Sequence, residues 1–450
     1  GGLGQNTTAH NNTAFGYIAL TANTTGTQNT AVGSEALDAN TTGNYNSSLG
    51  YQSATGNTTG NQNTAIGYYT LVANTEGDGN VAVGAQALAA NTTANYNVAV
   101  GMQSLLANTT GANNIAFGHA ALTANTTGDD NTAVGYNALD ANTSGTDNTA
   151  LGHNALTACT EGLKNTALGR GALQTVTTGD ENTAVGYAAL VATTGEDNVA
   201  VGFNALYGQQ DADFNTAVGH SSMQSTTTGS YNTGLGKSAM FQNTTGQHNT
   251  AVGYGALVTN QDGDKNVAVG SEALYTMEAD TDGHGNNIAV GYRAGYGLTT
   301  GTENILIGSE AGAGTMTADG NTGIGHNALK VATSGAANTA VGKSALAATT
   351  TSSYNTAVGY IALIDNTTGT RNTGLGYGAL AANVTSSDST AVGHGSLQAN
   401  TASDNTGVGS YALHNNTSGT YNTAVGKGAL QINVDGDNNT AIGYQALYTF

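Results

Sequence analysis

The stretch NTAVGYNALDANTSGTD, residues 131–147, is followed at once by NTALGHNALTACTEGLK, residues 148–164. The two stretches align without a gap and share Asn, Thr, Ala, Gly and Leu at the same places. The glycine of NTAVG recurs along the 450-residue chain from Gly16 to Gly443, which gives 26 repeats. Self-similarity at a short, constant period predicts a repeat architecture in which each unit packs on its neighbours. Position 0 is this glycine, position −1 precedes it and position +1 follows it.

The period is 17 residues almost throughout the chain. The exceptions are one-residue deletions before Gly202 and Gly409 and a four-residue insertion before Gly291. No change of composition divides the array, which predicts a single continuous domain over residues 1–450. Because the chain begins without Met and part-way through a repeat, we interpret it as a segment of a longer fibre protein.

The composition favours ordered structure without helices. Glycine numbers 66, proline and tryptophan are absent, and 8% of the residues are charged. Segments rich in Gly, Asn and Thr have poor helix propensity. The 29 acidic and 9 basic residues give a net charge of −20, which argues against nucleic acid as a partner because phosphate binding needs clustered Lys and Arg. No apolar run is long enough to cross a bilayer, so we expect no membrane insertion by this segment.

Positions −3 to −1 predict a β-strand. Position −1 is always a sizeable hydrophobe, as at Val134, and we expect this column to be a buried ladder. Position −3 is mostly Thr and fits a strand position partly out of water. Position −2, usually Ala as at Ala133, points to the opposite side by the two-residue strand period. We expect this small column, together with the alanines at +3, to admit a closely packed neighbouring chain.

A second inward-facing strand is predicted after the glycine. Position +4 is Leu in 21 of 26 repeats, as at Leu139. The gap between Val134 and Leu139 breaks the strand alternation, so a corner is predicted at Gly135, where the backbone freedom of glycine is useful. The NTSG segment at +7 to +10 supplies another turn. The chain is therefore predicted to be all-β, a parallel β-solenoid or β-roll of about 26 coils and about 125 Å in length at ~4.8 Å per coil.

Position −4 is Asn in 25 of 26 repeats, including Asn12, Asn29 and Asn131. Stacked amides can donate to and accept from their own copies, so we predict an asparagine ladder along this column. The Asn-x-Thr tripeptides are formally glycosylation sequons. A repeat built from NTT produces them automatically, so we do not expect glycosylation. Because each coil buries only about two large side chains, we expect further burial between copies of the chain.

The strand motif resembles the YadA-like head repeat of trimeric autotransporter adhesins, whose coils carry an NSVAIG-type strand. The matching segments are NTAVG and variants such as NVAVG at 198–202, NIAVG at 287–291 and NTAIG at 439–443, and they cover essentially the whole chain. Very similar arrays occur in phage tail fibres. The resemblance implies a left-handed parallel β-roll, three chains around a common axis, and an extracellular fibre or adhesive head. The chain differs from that family in its 17-residue coil and in Thr at position −3.

Position +1 is the candidate binding surface. It is Tyr in ten repeats, His in five and Lys or Arg in four. Such a column is typical of a corner, where a side chain has an apolar body and a wet tip. An aromatic and basic stripe can stack on sugars or grip a surface, and it can equally cover the corner or contact a neighbouring chain. The candidate binding residues are Tyr17, Tyr51, Tyr136, His153, Arg170, Tyr254 and Tyr360.

No residue pattern predicts catalysis or a cofactor. Ser, His and Asp fall in repeated columns, so no nucleophile with an orienting base is recognisable. The insertion ADTDGHGN contains Asp280 and Asp282, weak candidates for calcium ligands, and a solvated loop is the favoured interpretation. The one cysteine, Cys159, takes the place of Asn125 and Asn142 in neighbouring repeats and is interpreted as a tolerated small substitution.

Three functions fit these patterns. The first is a non-enzymatic extracellular or cell-surface fibre, a homotrimer whose repeats give reach and a multivalent surface for a host glycan or protein receptor. The second is a phage tail fibre on a virion that binds a host receptor. The third is an ice-binding solenoid, because regular Thr columns can order water, although the column is interrupted at Val81, Val98 and Ile115. An enzyme is the least expected class.

Overall fold

The computed structural model describes residues 4–277 and 285–449. These residues form a parallel β-solenoid with one coil per 17-residue repeat, and they contain no helix. The chain divides into two units of the same architecture, residues 1–218 and residues 219–450. The predicted fold class, an all-β parallel solenoid, is confirmed.

Each coil of the described chain contributes one three-residue strand at positions −3 to −1. In the first unit the strands are β1 (Thr13–Phe15), β2 (Thr30–Val32), β3 (Ser47–Leu49), β4 (Thr64–Ile66), β5 (Val81–Val83), β6 (Val98–Val100), β7 (Ile115–Phe117), β8 (Thr132–Val134), β9 (Thr149–Leu151), β10 (Thr166–Leu168), β11 (Thr183–Val185), β12 (Val199–Val201) and β13 (Thr216–Val218). In the second unit they are β14 (Thr233–Leu235), β15 (Thr250–Val252), β16 (Val267–Val269), β17 (Ile288–Val290), β18 (Ile305–Ile307), β19 (Thr322–Ile324), β20 (Thr339–Val341), β21 (Thr356–Val358), β22 (Thr373–Leu375), β23 (Thr390–Val392), β24 (Thr406–Val408), β25 (Thr423–Val425) and β26 (Thr440–Ile442).

Successive strands within a unit pair in parallel and keep equivalent repeat positions opposite one another. Ala133 of β8 pairs with Ala150 of β9, for example. The register survives a change of coil length. Across the one-residue deletion in the first unit, β11 still pairs with β12 at equivalent positions, and across the insertion in the second unit, β16 still pairs with β17. Length changes are therefore absorbed outside the strands, and the columns read from the sequence are real columns in space.

The corner predicted at Gly135 is confirmed. Its φ is 141°, and a Cβ there would collide with the carbonyl oxygen of Gly152 in the next coil. The second strand predicted around Leu139 is wrong. Asn137 and Leu139 have left-handed φ values of 50° and 53°, so positions +2 to +4 form a tight turn instead of an extended segment. Hydrogen bonding between coils continues there, because the Leu139 N–H donates to the Ala155 carbonyl at 3.0 Å.

The interior of each coil is filled by positions −2, +3 and +4. Ala133, Ala138 and Leu139 are fully buried, whereas Val134 lies partly exposed on the outside. Two predictions are therefore wrong. The −1 column is not the buried ladder, and the alanine columns are core instead of a surface for a neighbouring chain. The reason is that the left-handed turn folds the +4 leucine beneath the strand, which leaves room for only a small side chain at −2.

In one coil the large side chain lies at position −2 and the small one at position +4, which shows how tightly the interior is filled. Leu306 occupies position −2, and position +4 is Gly295 in the preceding coil and Gly312 in its own coil. A Cβ on Gly312 would lie 2.6 Å from Leu306 Cδ2, and one on Gly295 would lie 3.1 Å from Leu306 Cδ1. Leu306 therefore occupies space that the +4 leucine fills in other coils, so a side chain at Gly312 would compete with it for the same volume.

The asparagine column at position −4 is largely buried, but its amides bind mainly the backbone. Asn131 Oδ1 accepts from the Asn148 N–H at 3.1 Å, and Asn131 Nδ2 donates to the Gly145 carbonyl at 2.8 Å. Asn12 and Asn29 make the equivalent contacts. Contacts between amides are longer, such as 3.2 Å from Asn148 Nδ2 to Asn131 Oδ1. The predicted column is present in each unit, but its main links run from side chain to backbone, so the amide-to-amide ladder predicted here is formed only in part.

A second asparagine column, at position +7, forms the amide ladder, and the sequence reasoning missed it. Asn125 Nδ2 donates to Asn108 Oδ1 at 2.8 Å, and Asn142 Nδ2 donates to Asn125 Oδ1 at 2.7 Å. Cys159 interrupts this ladder and leaves Asn142 Oδ1 without a hydrogen-bond partner. These are also asparagines of the NTT and NTS sequons, and their amides point into the folded coil.

Candidate functional site

The outer strand face is the surface formed in each unit by positions −3 and −1. In β8 these positions are Thr132 and Val134, which flank the buried Ala133. Because strand side chains alternate, both flanking residues point away from the interior. The predicted partial exposure of the Thr column is confirmed, and the hydrophobic column lies beside it on the same side.

The −1 column exposes large apolar side chains. Phe15 is 75% exposed, Phe117 56% and Leu151 44%. Others in the column are exposed to a similar or lower degree, namely Leu49, Ile66, Leu168, Leu235, Ile307, Ile324, Val358, Val425 and Ile442. Large contiguous apolar patches are rare on protein surfaces, so this column is a candidate interaction face.

Covering the outer strand face would be favourable. Full burial of a Val, Leu, Ile or Phe side chain contributes about 1.5–3 kcal/mol, so covering a side chain that is already half-buried contributes roughly 1 kcal/mol. The gain recurs in each coil because the strands pair in register. A partner that covers many consecutive coils therefore binds much more strongly than one that contacts a few.

The corner stripe is the column at position +1, and its rings stack on one another from coil to coil. In the first unit, the ring centroids of His119 and Tyr136 are 5.1 Å apart, and those of Tyr136 and His153 are 5.2 Å apart. In the second unit, Tyr377 lies 5.5 Å from Tyr360 and 4.9 Å from His394. The planes within each of these pairs are close to parallel.

This stacking limits what the rings can bind. Both faces of Tyr136 are covered by the neighbouring histidines, so Tyr136 presents its edge and hydroxyl to solvent. A sugar cannot stack on such a ring. Open ring faces are expected where the next coil has a small side chain at +1, as with Ser34 after Tyr17 and Ser271 after Tyr254.

All seven predicted binding residues lie exposed on the corner stripe. Tyr17, Tyr51, Tyr136, His153 and Arg170 belong to the first unit, and Tyr254 and Tyr360 belong to the second. The structure brings His153 and Arg170 together at one cavity. The remaining residues follow one another along the column, so the predicted set is a stripe with local features and not a single convergent site.

The stripe cations are not neutralised by carboxylates. The ion pairs of the described residues use other cations, in Lys164–Glu181, Arg293–Glu272, Lys330–Glu310 and Arg371–Asp388. Within the described ranges, Arg170, Lys237, Lys343 and Lys427 of the stripe form no ion pair. Instead, the charged groups of three of them lie against the tyrosine of the next coil: Arg170 is 5.9 Å from the Tyr187 ring, Lys237 is 6.0 Å from Tyr254 and Lys343 is 5.9 Å from Tyr360.

Two cavities lie between the +1 and +5 columns, at coils where position +2 is glycine. The first, of about 110 Å³, lies over Gly171 in the first unit and is lined by His153, Asn154, Arg170, Gln174, Tyr187 and Ala188. The second, of about 180 Å³, lies over Gly255 in the second unit and is lined by Ser238, Phe241, Tyr254, Val258 and Tyr275. The sequence reasoning missed both cavities. The available signal was a glycine at +2 between large residues at +1 and +5.

The perturbed pKa values follow from ion pairing and burial. The hydrogen bond from Lys164 lowers the pKa of Glu181, and that from Arg371 lowers the pKa of Asp388. Both pairs are exposed, so they add little to stability. Burial raises the pKa of the Cys159 thiol to about 11. A thiol with this pKa is protonated at neutral pH and is a poor nucleophile, in agreement with its interpretation as a structural substitution.

Among residues 4–277 and 285–449, no group of three or more His, Cys, Asp or Glu side chains is placed to hold a metal ion. The weak calcium candidates Asp280 and Asp282 lie outside the described residues. The described part of the chain also has no helix with the length and hydrophobicity needed to span a membrane.

No family model matches the chain, and no curated protein sequence matches it significantly. The outer strand face and the corner stripe are therefore the features from which a function can be assigned.

Proposed function

We propose that the chain is a non-enzymatic structural and adhesive fibre subunit located outside the cell or on its surface, and that copies of it associate through the outer strand face. The observation that carries this proposal is the exposed −1 column, represented by Phe15, Phe117 and Leu151. An exposed apolar column that recurs coil after coil favours a partner over a free monomer.

The regular period of the outer strand face favours a second copy of the chain as its partner. Parallel strands stack at about 4.8 Å, and the −1 side chains recur with the strands in register. Another copy has the same period and can match the column coil by coil, whereas a globular partner can match only a few coils. Three copies around a common axis, the arrangement implied by the resemblance to trimeric adhesin heads, is the assembly that we propose.

The corner stripe supplies the proposed attachment surface. Position +1 follows the outer strand face by two residues and carries exposed tyrosines, histidines and cations. One such side chain per coil makes weak contacts multivalent, which raises overall affinity without a strong individual site. The proposed targets are host glycans or protein receptors. A phage tail fibre that binds a host receptor would use the same two surfaces.

The association state is tested by light scattering at several concentrations. We expect three times the chain mass of 44.6 kDa for the unmodified protein. The double variant Phe117→Glu, Leu151→Glu should shift the mass toward a single chain, because two charges enter the apolar column. Ser144→Glu is the matched control, since Glu76 and Glu161 occupy the same repeat position in other coils. A single-chain mass for the unmodified protein would overturn the proposed assembly.

The adhesive role is tested by binding of the labelled protein to arrays of glycans and receptor proteins, with hydrolysis of the same glycans measured in parallel. We expect binding without product formation. Hydrolysis that one substitution abolishes would overturn the non-enzymatic assignment. The absence of binding to any surface would leave the structural role and remove the adhesive one.

Ice binding is a second candidate, and one observation favours it. Thr132, Thr149 and Thr166 recur in register on the outer strand face. A regular column of hydroxyls and methyl groups on a flat sheet can order water. The neighbouring column is Val or Leu in place of a second Thr. Thermal hysteresis and shaped ice crystals in the presence of the protein would support this candidate, and their absence would remove it.

A further inference from the structure

The cavity over Gly171 combines an unpaired cation with polar walls. Arg170 and His153 lie on one side of it in the corner stripe, Gln174 lies on the other side at position +5, and Asn154 borders it at position +2. Arg170 is exposed and forms no ion pair with a described residue, and its guanidinium lies 5.9 Å from the Tyr187 ring. The cavity is therefore open to solvent and has a free positive charge at its edge.

The lining of this cavity contains no carboxylate. None of the residues that line the cavity is acidic, although the chain has 29 acidic and 9 basic residues. Position +1 has no acid in any repeat, and position +2 has only Glu35, Glu272 and Glu310, of which Glu272 and Glu310 are paired with Arg293 and Lys330. Position +5 has only Asp38 and Asp140, and Asp140 lies two coils before Gln174. An anion at Arg170 thus meets local positive charge in a chain that is negative overall.

The cavity exists because position +2 lacks a side chain at Gly171. The φ of Gly171 is 67°, yet the backbone does not require glycine here. Asn154 and Ala188 occupy the same position in the adjacent coils with φ values of 56° and 50°. A Cβ on Gly171 would lie 3.2 Å from Gln174 Oε1 and would narrow the opening.

We propose that this cavity binds the carboxylate of an acidic sugar unit of the uronic-acid or sialic-acid class. A guanidinium binds a carboxylate through paired, charge-assisted hydrogen bonds. The amides of Asn154 and Gln174 can donate to and accept from sugar hydroxyls. The cavity of about 110 Å³ is smaller than the roughly 150 Å³ that holds a benzene ring. It therefore takes the carboxylate and the carbon that bears it, and the rest of the sugar lies on the protein surface outside the cavity.

Charge and hydrogen bonds, and not ring stacking, make the site selective. The Tyr187 ring has Phe203 stacked on it at 5.3 Å and Arg170 at 5.9 Å, so its faces are already occupied. Neutral sugars, which depend on an open aromatic face or on many hydroxyl contacts, are therefore poor ligands. This inference rests on the proposed attachment role and names the class of glycan for one part of the corner stripe.

The test measures binding of the full chain to a galacturonate oligosaccharide and to sialyllactose by titration calorimetry or ligand-observed NMR. The methyl ester of the uronate and lactose serve as neutral probes. We expect binding of the acids and loss of at least about tenfold in affinity for the neutral probes, the range of a hydrogen bond to a charged group. Equal binding of acids and neutral probes, or binding of neither, overturns the proposal.

Two variants locate the site. Arg170→Gln removes the charge, and Gly171→Asn fills the cavity with a side chain that Asn154 already shows to be compatible with the turn. Both should weaken acid binding about tenfold or more. Lys164→Gln removes a cation that Glu181 already neutralises, and Ala120→Asn adds the same side chain at the same repeat position three coils away. Both controls should bind as the unmodified chain does, and equal losses in variants and controls overturn the assignment.

Two further results separate this inference from the proposed function. If a glutamate-rich peptide binds as tightly as the uronate and Arg170→Gln abolishes that binding, the ligand of the cavity would be a protein and not a sugar. A single-chain mass together with Arg170-dependent acid binding would refute the trimeric fibre and keep the cavity. A three-chain mass without acid binding would support the trimeric fibre and refute the sugar site at the cavity.

Discussion

Leu139 and Leu151 belong to adjacent coils, but Leu139 is fully buried and Leu151 is 44% exposed. Leu139 lies at position +4 in the interior, and Leu151 lies at position −1 on the outer strand face. The inner positions depend on one another in volume, because Leu306 at position −2 occupies the space that a side chain at Gly312 would need. The outer position accepts Val, Leu, Ile and Phe. The two sides of one thin coil thus differ in what constrains them: the inner side is closed by its own chain, and the outer side is open to a partner.

The largest expected effect separates these two leucines directly. Leu139→Ala should destabilise its coil by about 2–5 kcal/mol because it leaves a cavity in the interior. Leu151→Ala should cost about 1 kcal/mol or less in the isolated chain, since much of its surface is already in water. Hydrogen exchange of amides in the affected coils measures each change, because long repeat arrays do not unfold in one step.

Ala54 occupies position +4 with a φ of 52°, so the leucine-to-alanine change at this position is compatible with the backbone. Equal losses of protection at the two leucines in a single-chain preparation would contradict the division into inner and outer sides. A large cost for Leu151→Ala that appears only at high protein concentration would instead show that the outer strand face is covered by another copy.

The coil that contains Leu306 and Gly312 tests whether side-chain volume limits the inner side. Gly312→Leu should destabilise the second unit by about 1–3 kcal/mol, because the added side chain overlaps Leu306. The left-handed φ of 58° is not the obstacle, since Leu329 occupies the same position in the next coil with a φ of 53°. Adding Leu306→Ala should recover much of the loss. A double-mutant cycle measures this coupling, and simple additivity of the two costs would show that volume is not the constraint.

The asparagine ladder at position +7 allows a smaller test within one column. Asn125→Ala should cost about 1–3 kcal/mol, because it removes hydrogen-bond partners of the buried Asn108 and Asn142 amides. Cys159→Ala should cost about 1 kcal/mol or less, because no asparagine loses a partner there and the thiol makes only a weak 3.8 Å contact with the Gly162 carbonyl. Hydrogen exchange of the surrounding coils compares the two changes. A larger effect at Cys159 would contradict the role given to the ladder.

The smallest expected effect concerns a single carboxyl group on the coil surface. Burial raises the pKa of Asp140 above its usual value. The folded state therefore binds this proton more tightly than the unfolded state, and the carboxylate lowers stability at neutral pH and stops doing so as the pH falls through the acid range. Asp140→Thr, which copies Thr157 in the next coil, should stabilise the protein at pH 7 by no more than about 0.5 kcal/mol.

The pH dependence decides this last prediction. The advantage of Asp140→Thr should shrink as the pH is lowered toward 4 and disappear below it, because Asp140 is then protonated in both states. Hydrogen exchange of the amides around Asp140 in the variant and the unmodified chain, corrected for the pH dependence of intrinsic exchange, gives the result. A growing advantage at low pH would mean that the carboxylate is stabilised in the fold.

The columns could be predicted from the sequence because the period is short and nearly constant, so each position samples one environment many times. This is why the strand at −3 to −1, the glycine corner and the stripe at +1 were found. The side of the strand that faces inward could not be predicted. The large hydrophobe Val134 was expected to be buried and the small Ala133 to face outward, and the structure has them the other way round. The cavity at Gly171 was missed because it depends on one substitution within a variable column.

The sequence by itself determined the repeat length, the position of each strand and the glycine corner, since these follow from local conformational preference and from repetition. Only the tertiary structure decided which residues are core and which are surface. The deciding feature is the left-handed conformation of Asn137 and Leu139, which few residues adopt in isolation and which hydrogen bonds to the next coil stabilise here. That turn fills the coil with the +4 leucine, confines position −2 to small side chains and turns the −1 hydrophobes outward, where a partner can cover them.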